Sequence, residues 1–343
     1  MKLVVQIAPL QESDADTLQK LFAQQNRRQV GLDAALRHFR DEAVANYLEK
    51  MQSSQRDFLK VVDEDGAVRA GALPTMIEFP DDSSMLAIYP NHLGVVGMMS
   101  LPAPDTPQTM AITHMLVETV ESYWQSQGAM GGVFWWPTAD PWIEPTLHQR
   151  DFLTYTAMAA RPGDDLSAPR RASDSLTIRR AQPGEEETLL QFIVEEMVFH
   201  EDITPFARVV PGIELDGQQR LADAWSGKAP EAGASLFFVA EQQGQIVGMM
   251  ECALSDLRNR WHNLAPELYG DINTAIVAEA YRGQGIGHSL LATAVHELKR
   301  YGARRFSLYY VQANPLSSRF WHSKGFHPVL SSYHKRYGNE AKS

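Results

Sequence analysis

The chain has 343 residues, 44% of them hydrophobic and 21% charged, a formal net charge of −11 and one cysteine, Cys252. At roughly 150 residues per domain this length points to two domains, and the acidic balance argues against a general nucleic-acid or membrane-surface binder. The single thiol excludes an internal disulfide framework and a multi-cysteine zinc site, and a chain of this size without disulfides suits a reducing cytosol, so a cytoplasmic protein is expected.

Taken in chain order, Met1 to Ile7 is a short apolar run that ends in Pro9, which reads as a strand rather than a signal peptide. No stretch approaches the ~20 apolar residues of a membrane span. A helical pattern surrounds Thr17 and Leu18, and an apolar strand from Phe58 runs into a turn at Gly66, a hairpin signature. Leu116, Val117, Val120 and Trp124 share one face of a helix that ends at Gly128. Asp140-Pro141, His148 and Phe152 follow. Residues Arg161 to Ser175, rich in Pro, Gly, Ser and charge, mark a boundary. The expected domains are therefore 1–162 and 175–343, joined by a linker at 163–174.

The second half begins with a strand at Ser175–Arg180 and a helix after Pro183-Gly184 that carries Leu189, Phe192, Ile193 and Met197. A second helix is predicted over Gln218–Trp225, then strands at Leu236–Glu241 and Gln245–Ala253 joined at Gly244. After an irregular segment come a strand at Asp271–Val277, a glycine-rich loop at Arg282–Gly287, and a helix at His288–Tyr301 closed by Gly302. A strand at Phe306–Val311, a short helix at Leu316–Lys324 capped by Asn314-Pro315, and a strand at Val329–Lys335 complete the chain.

The two halves repeat. An offset of 174 carries Gly128, Asp140-Pro141, His148 and Phe152 onto Gly302, Asn314-Pro315, His322 and Phe326, and the apolar face of the first-half helix onto Leu290, Leu291, Ala294 and Leu298. The hairpins at Phe58–Gly66 and Leu236–Gly244 and the pairs Thr17-Leu18 and Thr188-Leu189 match at slightly different offsets, as in a diverged duplication.

The loop Arg282-Gly283-Gln284-Gly285-Ile286-Gly287 carries the strongest chemistry. Three glycines let several N–H groups converge on one point, and the helix behind adds the positive end of its dipole, so the loop is built to hold phosphate. It lacks the Lys-Ser/Thr of a P-loop and is one residue short of the dinucleotide fingerprint Gly-x-Gly-x-x-Gly.

This loop, with Asn314, Phe320, Gly325 and Phe326 beyond it, closely resembles the GNAT superfamily of acyl-CoA-dependent N-acetyltransferases. Arg282, Gly285 and Gly287 fill the family pattern Arg/Gln-x-x-Gly-x-Gly/Ala; Ser317 and Trp321 stand where the later pattern has Ala and Tyr. The resemblance covers about 175–335. With the repeat it implies a tandem duplication of the GNAT fold, an α/β architecture on a mixed sheet, whose first half is degenerate. It implies acetyl-CoA as cosubstrate, without a metal, and an amine acceptor. The diphosphate would lie on the amides of Gln284 to His288 (through Gly285, Ile286 and Gly287), with Arg282 and Gly283 at the edge. Ile276, Val277 and Ala278 would pair the pantetheine arm, with the Val277 amide facing the thioester oxygen, and Asn314 and Trp321 would sit nearby. A base must take a proton from the amine; Asp271 is the first candidate and Glu251 the second. With Trp321 at the usual Tyr position, Tyr309 or Tyr310 is the expected source of a proton for the sulfur, with release as a thiolate the alternative. His200, Glu201, Asp202, Trp261 and His262 are expected to overhang the acceptor cleft.

In the first half Thr109 and Thr113 replace glycines, Pro102, Pro104 and Pro107 stiffen the loop, and Asp140 stands at the Asn314 position. That half is expected to have lost the site. A non-catalytic acyl-CoA sensor is the alternative for the whole chain.

Overall fold

A computed structural model describes residues 3–53, 57–164, 166, 176–230, 233–258, 260 and 262–338. Most of the expected linker and Trp261 lie outside these residues. The chain forms two compact units: residues 1–79, 89–155 and 329–343 in the first, 80–88 and 156–328 in the second. Expected boundaries at 162 and 175 follow chain order; these units do not.

The first unit contains β1 (Val4–Pro9), α1 (Glu12–Leu32), α2 (Asp41–Ser53), β2 (Asp57–Val62), β3 (Val68–Glu78), β4 (His92–Ser100), α3 (Pro107–Ser126), β5 (Gly131–Pro137) and α4 (Glu144–His148). Its sheet runs β1-β2-β3-β4-β5 and ends on β12 (His327–Arg336), which pairs antiparallel with β5 from Leu330↔Pro137 to Arg336↔Gly131. Strand periodicity sends Leu59 and Val61 to one face, under Leu116, Val117, Val120 and Trp124 of α3. Phe58 and Val62 point the other way, onto Leu18 of α1 and Val44 and Leu48 of α2.

The second unit contains β7 (Leu176–Arg180), α5 (Glu186–Glu201), α6 (Pro211–Trp225), β8 (Leu236–Gln242), β9 (Gln245–Asp256), β10 (Leu268–Val277), α7 (Ile286–Arg300), β11 (Arg305–Val311) and α8 (Pro315–Ser323). Its sheet runs β7-β8-β9-β10-β11 and ends on β6 (Leu153–Pro162), paired antiparallel with β11 from Thr156↔Val311 to Pro162↔Arg305. Each unit thus takes its last strand from the other half of the sequence. Local periodicity cannot reveal this, because an alternating strand reads the same in either sheet.

The faces of this sheet are sorted by the same alternation. Leu236, Phe238 and Ala240 pack with Cys252 under Leu290, Leu291, Ala294 and Leu298 of α7. Burial pushes the Cys252 thiol up, so it serves as a small apolar residue. Phe237, Val239 and Met249 face Leu189, Phe192 and Ile193 of α5 and Ile213 and Leu221 of α6. Helix α6 starts at Pro211, ahead of the expected Gln218. Gly212 lets it touch residues 80–88, since an added Cβ there would fall 2.4 Å from the Asp82 carbonyl oxygen. Helix α7 ends where expected: Gly302 has φ +91°, and the Ala303 N–H returns to the Leu298 carbonyl. Among the described residues no helix is long and apolar enough to cross a membrane, and no group of three or more His, Cys, Asp or Glu side chains is placed to hold a metal ion.

Candidate active site

In the second unit, parallel strands β10 and β11 pair only from Tyr269↔Arg305 to Ile272↔Leu308. Beyond that point β11 continues along β6 alone while β10 stays with β9. The parting coincides with a bulge on β10, where Asn273 has no partner between Ile272↔Cys252 and Thr274↔Glu251. A bulge bends and twists its strand, which opens the gap. The Ala278 N–H bonds Val247 on the β9 side. By alternation Ala275 and Val277 therefore turn their backbone groups into the gap. A pocket of about 400 Å³ fills this wedge, lined by Ile272 to Val277, Tyr309 and Tyr310, the glycine loop, α8 and the end of α5.

The glycine loop forms the outer end. Gly285 caps α7 with φ +84° and Gly283 has φ +78°, conformations that L side chains rarely adopt. No heavy atom lies within 4 Å of an added Cβ at either glycine. The first helical bond runs from Ser289 N to Gly285 O, so the Gly285, Ile286 and Gly287 amides lie ahead of the ladder at the positive end of the dipole. These are the groups a diphosphate requires; the space beside Gly283 and Gly285 is open, while an added Cβ at Gly287 would meet the Phe320 ring at 3.3 Å. Arg282 donates from Nε to the Val277 carbonyl at 3.0 Å, and its guanidinium lies 5.5 Å from the Phe199 ring centre.

The expected cofactor residues Ile276, Val277, Arg282, Gly283, Gly285, Ile286, Gly287, His288, Asn314 and Trp321 all line the pocket. Ala278 and Gln284 do not; Ala278 turns toward β9, and the Gln284 side chain reaches the Ala280 carbonyl at 3.4 Å. Asn314 is the N-cap of α8, accepting from the Leu316 and Ser317 amides at 3.0 and 3.2 Å. Its Nδ2 lies 3.5 Å from His200 Nε2. Trp321 packs edge-on against Phe320 and Phe326 as part of the core. Tyr309 is 59% exposed at the mouth, whereas Tyr310 is 6% exposed with its hydroxyl 3.4 Å from His322 Nε2.

Both expected bases lie elsewhere. Asp271 belongs to the part of β10 still paired on both sides, ahead of the parting, and accepts from the Ser307 and Ser255 hydroxyls. Burial holds its carboxyl above the usual range despite these bonds. Glu251 is wholly buried on β9, ion-paired with Arg220 and accepting from Ser235 Oγ at 2.8 Å. Neither lines the pocket. Of the residues expected in overhanging loops, His200 and Glu201 lie instead in the last turn of α5; His200 lines the pocket and is held below its ordinary pKa by burial. Glu201 is occupied by the Val209 amide at 2.7 Å, and His262 Nδ1 accepts from the Leu264 amide at 3.1 Å.

The carboxylate that does line the pocket is Glu196 of α5, which sequence reading passed over. The Thr274 hydroxyl and the Ala275 amide donate to it. The side chain keeps a solvent path through the pocket but is otherwise enclosed by protein. Burial, reinforced by the Glu251 charge and opposed by Arg220, pushes its carboxyl up to about 8. The signal was present: Leu189, Phe192, Ile193, Glu196 and His200 follow one another at helical spacing, so Glu196 and His200 continue the buried stripe of α5.

The first unit carries the same geometry with different chemistry. Parallel β4 and β5 pair only from Leu93↔Gly131 to Val95↔Val133, and β4 bulges at Gly97. Strand pairing matches Leu93 to Tyr269, an offset of 176, which puts Gly97 on Asn273, Met99 on Ala275 and Leu101 on Val277. Here Gln25 of α1 fills the strand edge: its Nε2 donates to the Met99 carbonyl at 3.1 Å, and its Oε1 accepts from the Leu101 amide at 2.8 Å. The 171 offset of the Thr17-Leu18 match places Gln25 on Glu196 and Gln29 on His200. Asp140, matching Asn314, is buried and ion-paired with Arg28, with Gln29 Nε2 at 3.2 Å. Helix α3 begins with Thr106 capping the Thr109 amide at 3.2 Å and Pro107 in its first turn, so donors that are open in α7 are used or missing.

The acetyltransferase (GNAT) family model matches residues 199–326, which span the wedge, the loop and α8. That segment of the chain belongs to the GNAT acetyltransferase family. Over nearly the whole chain the fold is similar to a GCN5-related N-acetyltransferase from Sphaerobacter thermophilus, at 15% identity and TM-score 0.57 over 99% of this chain and 98% of that one. It is also similar to a tandem GNAT protein from the clavulanic acid biosynthesis pathway, at 12% identity and TM-score 0.50 over 98% and 100% of the two chains. A third is a glucosamine N-acetyltransferase region of a fungal multi-domain GH3 β-N-acetylglucosaminidase, at 13% identity and TM-score 0.53 over 97% of this chain and 38% of that one. At these identities the likeness is one of fold: a tandem GNAT architecture. No curated protein matches the sequence.

Proposed function

We propose that the second unit transfers an acetyl group from acetyl-CoA to an amine acceptor, and that the first unit is a structural partner without a coenzyme site. The observation that carries this reading is the wedge between β10 and β11, closed at its outer end by the open amides of Gly285, Ile286 and Gly287. The loop amides hold the diphosphate. The Val277 amide, turned into the gap, donates to the thioester oxygen as negative charge gathers there, an interaction that strengthens in the transition state. Asn314 and Trp321 shape the wall beside the pantetheine. Tyr309 stands at the mouth, where its hydroxyl can protonate a departing thiolate; that leaving group has an ordinary pKa of ~8.5, so the demand on an acid is small.

Melting curves with acetyl-CoA, and release of free thiol from acetyl-CoA with a panel of primary amines, test the reading. A raised melting temperature and amine-dependent thiol release are expected. Stabilisation without thiol release under any amine would make the protein an acyl-CoA sensor. Stabilisation by adenine dinucleotides but not by coenzyme A would overturn the site assignment.

A further inference from the structure

We infer that Glu196 of α5 is the catalytic base that accepts the proton of the incoming amine, and that Gln25 marks the loss of this function in the first unit. This rests on the acyl-transfer reading above and names the group that reading lacks.

Position comes first. The Ala275 amide that holds the Glu196 carboxyl and the Val277 amide assigned to the thioester oxygen lie on the same edge of β10, two residues apart. That separation is about 6.6 Å along a strand, room for an amine nitrogen or one bridging water between them. Second, the other carboxylates of the neighbourhood are committed: Glu251 to Arg220 and Ser235, and Asp271 to the paired part of the sheet. The groups facing Glu196 are Glu251 of β9, Arg220 of α6, Thr274 and Ala275 of β10, and His200 one turn along its own helix. Arg220, the only cation in this set, is bonded to Glu251 and Asp216, and His200 is held neutral by its burial. Glu196 is left to exchange its proton with the pocket.

The third observation is the comparison of the two units. A carboxamide is both donor and acceptor, so Gln25 satisfies the Met99 carbonyl and the Leu101 amide together and closes the edge. The ionised form that acts as base, populated as pH approaches 8, only accepts. Glu196 therefore takes the Ala275 amide and leaves the Val277 amide to a ligand. In the reaction the ammonium of the acceptor gives one proton to Glu196, its nitrogen bonds the acyl carbon, and the carbon–sulfur bond breaks with its electron pair going to sulfur. Tyr309 gives its hydroxyl proton to the thiolate and takes up the second nitrogen proton in its place, and Glu196 returns its proton to water. One proton is released overall.

The test uses the full-length protein and the variants Glu196→Gln and Glu196→Asp. Glu196→Gln should lose about 10²–10⁴ in kcat, with any weakening of acetyl-CoA binding, as its carboxamide reaches for the Val277 amide, read separately by calorimetry. Glu196→Asp should recover part of it. In wild type, kcat/KM should rise through a limb near pH 8, where the Glu196 carboxyl ionises; in Glu196→Gln that limb should be gone. Independently of turnover, glutamate carboxyl signals followed by NMR should show one group with a midpoint near 8 that is missing from Glu196→Gln. Full kcat and an unchanged pH limb in Glu196→Gln, or a midpoint near the ordinary carboxylate range, would overturn the role of Glu196. Absence of thiol release in wild type would instead overturn the acyl-transfer reading, and this role with it.

Discussion

Substituting glutamine for Glu196 should stabilise the protein at alkaline pH, and the gain can be worked out. The carboxyl titrates near 8 when folded, against an ordinary value of 4.5. Between those values the folded chain keeps a proton that the unfolded chain has lost, so stability falls as pH rises from 4.5 and the full penalty is in place above 8. The gap of about 3.5, at 1.36 kcal/mol each, sets an upper bound of about 5 kcal/mol. Contact with solvent through the pocket lowers this, and roughly 2–4 kcal/mol is the expected span. The assay is urea unfolding of wild type and Glu196→Gln at intervals from pH 5 to 9.5, reading the transition of the second unit. Alkaline effects common to both proteins cancel in the difference. That difference should grow in favour of the variant by about 2–4 kcal/mol and level off above pH 8. A difference that stays flat across the range, or grows in favour of wild type, would refute the claim that Glu196 is held protonated by its surroundings.

Gly285→Ala places a side chain at φ +84° in front of the helix amides, so acetyl-CoA should bind at least about tenfold more weakly by calorimetry; an unchanged Kd would remove the cradle from the site. Gln25→Ala strands the Met99 carbonyl and the Leu101 amide, and denaturant unfolding of the first unit should show a loss of about 2–4 kcal/mol. Calorimetry on wild type should find one acetyl-CoA per chain; two would show that the first unit keeps a working site. Asp271→Asn should leave kcat within about threefold, because the residue lies outside the pocket; a hundredfold loss would restore it as a base candidate. Arg220→Met leaves Glu251 buried and unpaired, and a loss of about 3–5 kcal/mol is expected in thermal or urea unfolding.

Much of the architecture is written in local patterns. Turn glycines, the Asx-Pro pairs and the apolar face of α7 repeat at a fixed offset, and each has a mechanism that acts within a few residues. The cradle was legible for the same reason: Gly283, Gly285 and the helix that follows are contiguous in sequence. The base was not. Asp271 has a suitable chemistry on the right strand, but the side chain's destination depends on where β10 leaves β11, and that is fixed by the Asn273 bulge. Glu196 comes from a helix about eighty residues before the strand it touches, and nothing local says which strand its buried stripe will meet. The final strands were illegible for a related reason, since a run such as Val329–Lys335 specifies a face but not a sheet.

That last feature has a bearing on how the molecule is made. The sheet of the first unit is finished by residues Leu330–Arg336, which follow residues 156–328 of the second unit in the chain, so the N-terminal half gains its closing strand only after those residues have been made. Cutting the gene at the linker would give two fragments, each carrying an edge meant for the other and lacking its own, with unpaired backbone groups exposed to aggregation. The two halves are a duplicated pair in ancestry, but each sheet is completed by a strand from the other half.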